Sequence, residues 1–361
     1  MAVPDMTSDT YLLHTGENLQ VDIIEPPLSE SCRNIIWWRL VQDELLEGAW
    51  SDTLYTAYFV GKIDHQFVGS LACYTPADTR DIGVVGFVST EDHHRRKGIA
   101  SVLMDCMINH FINHGGKALY LCTNNPSAGI LYEKHGFEYH VGDGMRYLAP
   151  GAENFDLTYF GSGCAATVRP ATWGDLPRFA ALYNHAEPDW LIKNYLTQSF
   201  NETRVEIHFI QLMKRIENGN GAIKVLETSD KRLIGAAAFE RLGTYYEQHV
   251  AHLTFRICPG YLAQAQDLLS ACESDAEQMG IDQLQVHAAD RDVSQIELLK
   301  SQSYVEVARY QQQLKDGQTA YDLLVFGKNL AGGRALIREK EAYYGGRKSW
   351  QTDRLLDIGP N

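Results

Sequence analysis

The chain has 361 residues, with 32 Lys and Arg against 46 Asp and Glu, for a net charge of −14. That length fits two domains, each able to bury a core without a metal or disulfide staple. With 45% hydrophobic and 22% charged residues and no apolar run near 18, the composition excludes a disordered, fibrous or membrane-spanning chain, and the acid excess argues against nucleic-acid or anionic-membrane partners.

Gln20–Glu25 alternates apolar and polar residues, as a half-buried strand does. Ser29–Gly48 reads as a helix, with Ile35, Ile36, Trp38, Leu40, Val41, Leu45 and Leu46 at helical spacing and Gly48 as its stop. Tyr55–Ile63, Gln66–Tyr74 and Ile82–Thr90 read as strands. A helix over Gly98–His114 ends at Gly115-Gly116. A strand over Lys117–Thr123, a helix opened by Asn125-Pro126 and a strand over Phe137–Val141 complete a mixed α/β sheet. Pro150–Gly163 reads as a linker.

A second pass has the same order of elements. It comprises Thr167–Pro170, a helix from Asp175, strands over Ala222–Glu227, Leu233–Arg241 and His249–Arg256, a helix over Tyr261–Met279, a strand over Leu284–Ala288, a helix over Val293–Ser301 and a strand over Tyr304–Ala308. The repeated order suggests an internal duplication. The expected division is a first domain over 1–150, a linker over 151–165, a second domain over 166–330 and a tail over 331–361. The tail is net +2, from six basic and four acidic residues. The polar start, Met1–Thr10, lacks a leader pattern, so the expected location is cytoplasmic. Seven widely spaced cysteines without Cys-x-x-Cys predict neither a zinc site nor a disulfide framework, and no metal is expected.

The sharpest local feature is Val88-Ser89-Thr90-Glu91-Asp92-His93-His94-Arg95-Arg96-Lys97-Gly98-Ile99-Ala100. A strand runs out, three cations follow, and a small-residue helix start comes next. The first N–H groups of a helix lack internal partners and carry the positive end of its dipole. Gly98 and Ala100 let a diphosphate approach the backbone, and Arg95, Arg96 and Lys97 add charge beside it. Residues 1–150 hold 10 basic and 19 acidic residues, net −9, so this triplet stands against an acidic background. A solvated basic patch is the simpler reading of the triplet alone. The spacing fits neither a P-loop nor a dinucleotide fingerprint.

This segment resembles the acyl-CoA-binding motif of the GNAT N-acetyltransferase superfamily, Arg/Gln-x-x-Gly-x-Gly/Ala, at Arg95, Gly98 and Ala100. Asn125-Pro126-Ser127-Ala128-Gly129-Ile130-Leu131-Tyr132-Glu133-Lys134-His135-Gly136-Phe137 is similar to that family's second signature. The likeness covers residues 19–148; residues 166–330 share only the order of elements, which would make the whole two GNAT-like domains in tandem. The resemblance implies the acyltransferase fold, acetyl-CoA as acyl donor and a primary amine as acceptor, small and cationic on an acidic surface. It implies that Val88, Ser89 and Thr90 pair with pantetheine, that Ile99 belongs to the phosphate loop, and that Asn125 contacts the cofactor while also suiting a helix N-cap. Tyr132 falls where a general acid protonates the departing thiolate; an ordinary core aromatic is its plainer reading.

The general base departs from the family pattern: Val84 and Gly86 stand where Glu or His is common. Asp81, Glu91, Glu44, Glu47 and Asp52 are the remaining carboxylates to consider, and His93 and His94 flank the phosphate loop. The second half has no basic triplet between His249 and Tyr261, and Leu299 stands where Tyr132 stands, so it reads as degenerate. Asp189, Trp190 and Tyr195 could line a cleft shared by the halves. The alternative functions are a non-catalytic acyl-CoA sensor and an acyltransferase using a longer chain. A homodimer is compatible with the sequence.

Overall fold

The computed structural model describes residues 7–193, 205–241 and 245–330. Eight strands form one sheet: β1 (Thr7–Leu12), β2 (Asn18–Ile24), β3 (Leu54–Ile63), β4 (Gln66–Pro76), β5 (Ile82–Thr90), β6 (Ala118–Cys122), β7 (Glu138–Val141) and β8 (Gly144–Leu148), ordered β1-β2-β3-β4-β5-β6-β8-β7. Seven form another: β9 (Ala166–Pro170), β10 (Gly221–Thr228), β11 (Leu233–Arg241), β12 (Val250–Ile257), β13 (Gln283–Ala289), β14 (Val305–Asp316) and β15 (Thr319–Asn329), ordered β14-β15-β13-β12-β11-β10-β9. From β9 to β14, the second sheet repeats the order from β2 to β7. Each has one parallel pair, β5 with β6 and β12 with β13, among antiparallel neighbours.

The helices are α1 (Gln42–Glu47), α2 (Ile99–Asn113), α3 (Pro126–Lys134), α4 (Phe155–Tyr159), α5 (Leu176–Asn184), α6 (Val205–Glu217), α7 (Ala265–Gln278) and α8 (Val293–Ser301). Helices α2 and α7 leave β5 and β12, and α3 and α8 follow β6 and β13.

Several elements differ from the sequence expectation. The single helix over Ser29–Gly48 is two 3-10 turns, Glu30–Ile35 and Arg39–Val41, followed by α1. Ile36 is extended, and the Gln42 side-chain amide donates to the Arg33 and Ile36 carbonyls, 2.8 Å each, in place of helix bonds. The expected linker carries α4, with Phe155, Tyr159 and Phe160 buried; their spacing puts three rings on the core. The helix expected from Tyr261 starts at Ala265, after a 3-10 turn opened by Pro259. The strand expected at Tyr304–Ala308 is longer, because β14 extends to Asp316 along β15. The basic tail, 331–361, lies outside the described residues.

Two apolar cores hold the fold. One packs Leu103, Met107 and Phe111 of α2 against Phe59, Leu71 and Leu119 of the first sheet. The other runs through both units: Tyr58, Tyr74 and Tyr120 on the opposite face of the first sheet join Phe179 and Tyr183 of α5, Phe209 of α6 and the second sheet. The second unit therefore covers one face of the first. Trp50 stacks on Trp173 at 3.7 Å, Arg178 pairs with Asp78, and Lys214 pairs with Glu44 across the boundary. Burial of this continuous apolar surface, at about 25 cal/mol per Å2, makes the two units one stability problem.

Candidate active site

The site begins where two strands part. Strand β5 pairs with β6 only through Ile82–Val84, leaving Val85–Thr90 with no partner on that edge among the described residues. On its other edge the ladder to β4 slips, with Ser70 opposite Ser89 but Ala72 opposite Gly86. The extra residue is a bulge at Phe87, held at φ +54°. A bulge takes backbone groups out of the ladder and re-aims them, so this stretch offers hydrogen-bonding groups to an extended guest.

The gap opens into a cleft of about 870 Å3 lined by Val88, Ser89 and Thr90, by Arg95, Arg96 and Gly98 of the loop, and by the start of α2 and α3. Gly98 caps α2 at φ +90°, where a side chain would be strained, and no side chain caps the helix or places an acid in its first turn. The first amides of α2 thus keep their positive potential, and Ile99, Ala100 and Ser101 line the cleft beside them. Arg95 reaches toward the Thr90 carbonyl at 3.4 Å and pairs with Asp92 at 2.7 Å, while remaining mostly exposed. Lys97 is the one residue of the triplet outside the cleft lining: its ammonium pairs with Glu17, on the β1–β2 turn, at 2.7 Å. That pairing holds the Glu17 carboxyl below its usual range.

Asn125 is the N-cap of α3, its side chain accepting from the Ser127 amide at 3.0 Å, and it also lines the cleft. Tyr132 lines the cleft from two turns further on and is 8% exposed. Burial pushes its phenol up to about 12, so it keeps its proton at neutral pH.

Tyr132 and Val88 also line a second cavity of about 180 Å3. Its other walls include Trp38, Val84, Gly86, Phe87, Glu206 and Ile207. Trp38 meets Phe87 edge-on at 4.9 Å and stacks on Tyr74 at 4.6 Å. At Gly86 a Cβ would come within 3.1 Å of the Tyr74 ring, so the ring takes the space of a longer residue. Tyr58 and Tyr74 are both buried beneath this wall, their rings edge-on at 6.4 Å.

The Acetyltransferase (GNAT) family model matches residues 26–137. Residues 26–137 are a GNAT domain. Among curated proteins, the chain is 37% identical over 65 residues to N-alpha-acetyltransferase 60 of Drosophila melanogaster, a match spanning 17% of this chain and 24% of that one. Solved structures that resemble it include yncA from Salmonella typhimurium with its cofactor acetyl-CoA (17% identity, TM-score 0.39, 46% of this chain and 94% of that one). Two others are a ribosomal-protein-alanine N-acetyltransferase from Brucella melitensis (22%, 0.39, 45% and 99%) and a spermidine N-acetyltransferase from Vibrio cholerae with CoA and spermine (17%, 0.37, 47% and 98%).

Within this GNAT domain, only Glu91 of the five carboxylates considered as a base lines the large cleft. Glu44 is engaged with Lys214, Asp81 accepts from Thr79, and Glu47 and Asp52 are exposed. His94 lines the cleft; His93 stands outside its lining. Among the described residues no cluster of His, Cys, Asp or Glu could hold a metal, and no helix is long and apolar enough to cross a membrane.

The second unit treats the equivalent place differently. Strand β12 also leaves its parallel partner early, pairing with β13 only through Val250–His252, but its ladder to β11 runs without a bulge. The segment before residue 193 occupies the gap. Trp190, 3% exposed, packs edge-on to Phe255 at 5.5 Å and donates to Ser294 Oγ at 2.9 Å. The Leu191 amide donates to the Asp292 carboxylate at 3.0 Å, at the start of α8. Arg256, fully buried, donates to the carbonyls of Leu182, His185, Glu187 and Pro188. Ahead of α7, Pro259 removes an N–H and a side chain at Gly260 would run into Ser162. Trp190 therefore belongs to this plug and not to a shared cleft; Asp189 pairs with Arg291 at 3.2 Å, and Tyr195 lies outside the described residues.

Sequence reasoning missed Trp38, Phe87, Glu206 and Ile207. An amphipathic run over 205–217 was there to be read as α6, but nothing in it says which sheet the helix covers.

Proposed function

We propose that the chain is an N-acetyltransferase that moves the acetyl group of acetyl-CoA to a primary amine by direct attack. The first unit, within 1–150, binds the cofactor, and the second, within 166–330, is a GNAT-like repeat that has lost that capacity. The observation that carries this reading is the uncapped start of α2, flanked by Arg95 and Arg96 and opening on an unpaired strand edge. Acetyl-CoA, when bound, supplies an acyl group already activated as a thioester.

The residues around the cleft suit that guest. The amides of Gly98, Ile99 and Ala100, with Arg95 and Arg96, face the phosphates. Backbone groups of Val88, Ser89 and Thr90 pair with the pantetheine amides, and N–H groups at the bulge polarise the thioester carbonyl as negative charge builds on its oxygen. Tyr132 donates to the sulfur as it becomes a thiolate, a role its protonated state at neutral pH allows. Asn125 holds the start of α3 and faces the cofactor. Lys97 acts at one remove, through its pair with Glu17 beside the loop.

The reading is tested by CoA release from acetyl-CoA in the presence of primary amines, beside a thermal-shift titration with acetyl-CoA. Wild type is expected to release CoA with at least one amine and to gain stability on titration; Arg95→Glu is expected to lose both while melting as wild type does without ligand. A non-catalytic sensor, which the apolar Val84 and Gly86 favour, would gain the same stability and release no CoA with any amine.

A further inference from the structure

The small cavity has a wall from the second unit. Glu206 and Ile207, in the first turn of α6, line it together with Tyr132, Gly86, Phe87 and Trp38 of the first unit. The placement of α6 is built in. Phe209 packs on Phe179 at 4.9 Å within the shared core, and Lys214, two turns along, pairs with Glu44 of α1.

We propose that Glu206 binds the ammonium of the acceptor and takes its proton, so that the second unit supplies the carboxylate that β5 lacks. The proposal rests on the acetyltransferase reading and deepens it. Two observations converge. The cavity meets the cofactor cleft at Val88 and Tyr132, where the thioester would end. Its first-unit walls are apolar at Val84 and Gly86 and aromatic at Trp38 and Phe87, so Glu206 is the one carboxylate among its lining residues. A carboxylate with aromatic rings around a small space is the chemistry that recognises a primary ammonium.

The proton count closes. The Glu206 carboxylate takes one proton from the ammonium, and the freed lone pair forms the new C–N bond to the acetyl carbon. The C–S bond breaks, the sulfur takes its proton from Tyr132, and the nitrogen returns a proton to the phenolate. Amide and free thiol leave, and Glu206 gives its proton to water.

The test uses Glu206→Gln in the full chain, with spermidine, tyramine and a tetrapeptide bearing a free N-terminus as probes. Calorimetry first measures acetyl-CoA binding, then amine binding to protein saturated with CoA. Steady-state CoA release is followed from pH 6 to 10. The variant is expected to bind acetyl-CoA as wild type does. It should bind its best amine about 10-fold or more weakly and lose about 100-fold in kcat/KM at neutral pH. That loss should shrink as the pH rises and the amine arrives already neutral. Amine affinity and pH profile unchanged by Glu206→Gln would overturn the inference and leave the acetyltransferase reading standing. Wild type that binds no acetyl-CoA, or neither binds nor acetylates any of the three amines, would overturn it together with that reading.

Discussion

The two sheets share a strand order and part at the same place, yet one leaves a cleft and the other is filled. In the first unit, β5 is bulged at Phe87, the helix behind it starts on a bare Gly98, and Arg95 and Arg96 line the opening. In the second, β12 is unbulged, Pro259 opens the turn before α7, and the Trp190 segment is tied down by Arg256 and Asp292. The difference shows that this topology by itself makes a gap, not a site. An open gap demands that the helix start and strand edge keep their polar groups for a ligand. In the closed gap the inserted segment bonds to side chains around it, Trp190 to Ser294, the Leu191 amide to Asp292 and four carbonyls to Arg256, and these tie-down bonds contribute to stability instead of binding.

That contrast can be broken at either end. The largest expected effect is Gly98→Asp, which places a carboxylate and a strained side chain at the mouth of α2. Acetyl-CoA binding should be abolished, read as a lost thermal shift, with the unliganded fold retained. Trp190→Ala, in the filled gap, should destabilise the protein by about 3–5 kcal/mol in denaturant unfolding, because it empties a buried site and leaves Ser294 without its partner. It should leave acetyl-CoA affinity unchanged. Tyr132→Phe should keep acetyl-CoA binding and lower kcat by about 100-fold in CoA-release assays. The smallest effect concerns acid. Burial pulls His110 in the first unit, and His185 and His287 in the second, down to about 4. Each takes up its proton more readily when unfolded, near 6.5. Stability should therefore be full above about pH 6.5 and fall as the pH drops toward 4. Melting curves across that range would show it, with a shallower decline in His287→Gln.

Much of the first unit was legible because its signals are local. Strand, cation-rich loop and glycine helix start are consecutive in Val88–Ala100, and the cap and pocket aromatic of α3 are seven residues apart in Asn125–Tyr132. What was missed depends on distant partners. Lys97 read as a phosphate ligand because Glu17, 80 residues earlier, could not be seen to claim it. Trp190 read as a cleft residue because the cleft it would line is filled by its own segment. Phe160 looked like part of a linker until its ring stacked on His185 at 4.0 Å. Glu206 lies in a stretch whose periodicity gives a helix but whose value to the site comes from packing over the other unit.

The division of labour between the units is tested most directly by counting sites. Calorimetric titration of the full chain with acetyl-CoA should give one site per chain in wild type, one in Trp190→Ala and none in Gly98→Asp. Two sites in wild type, or one surviving in Gly98→Asp, would contradict the assignment of the cofactor to the first unit alone.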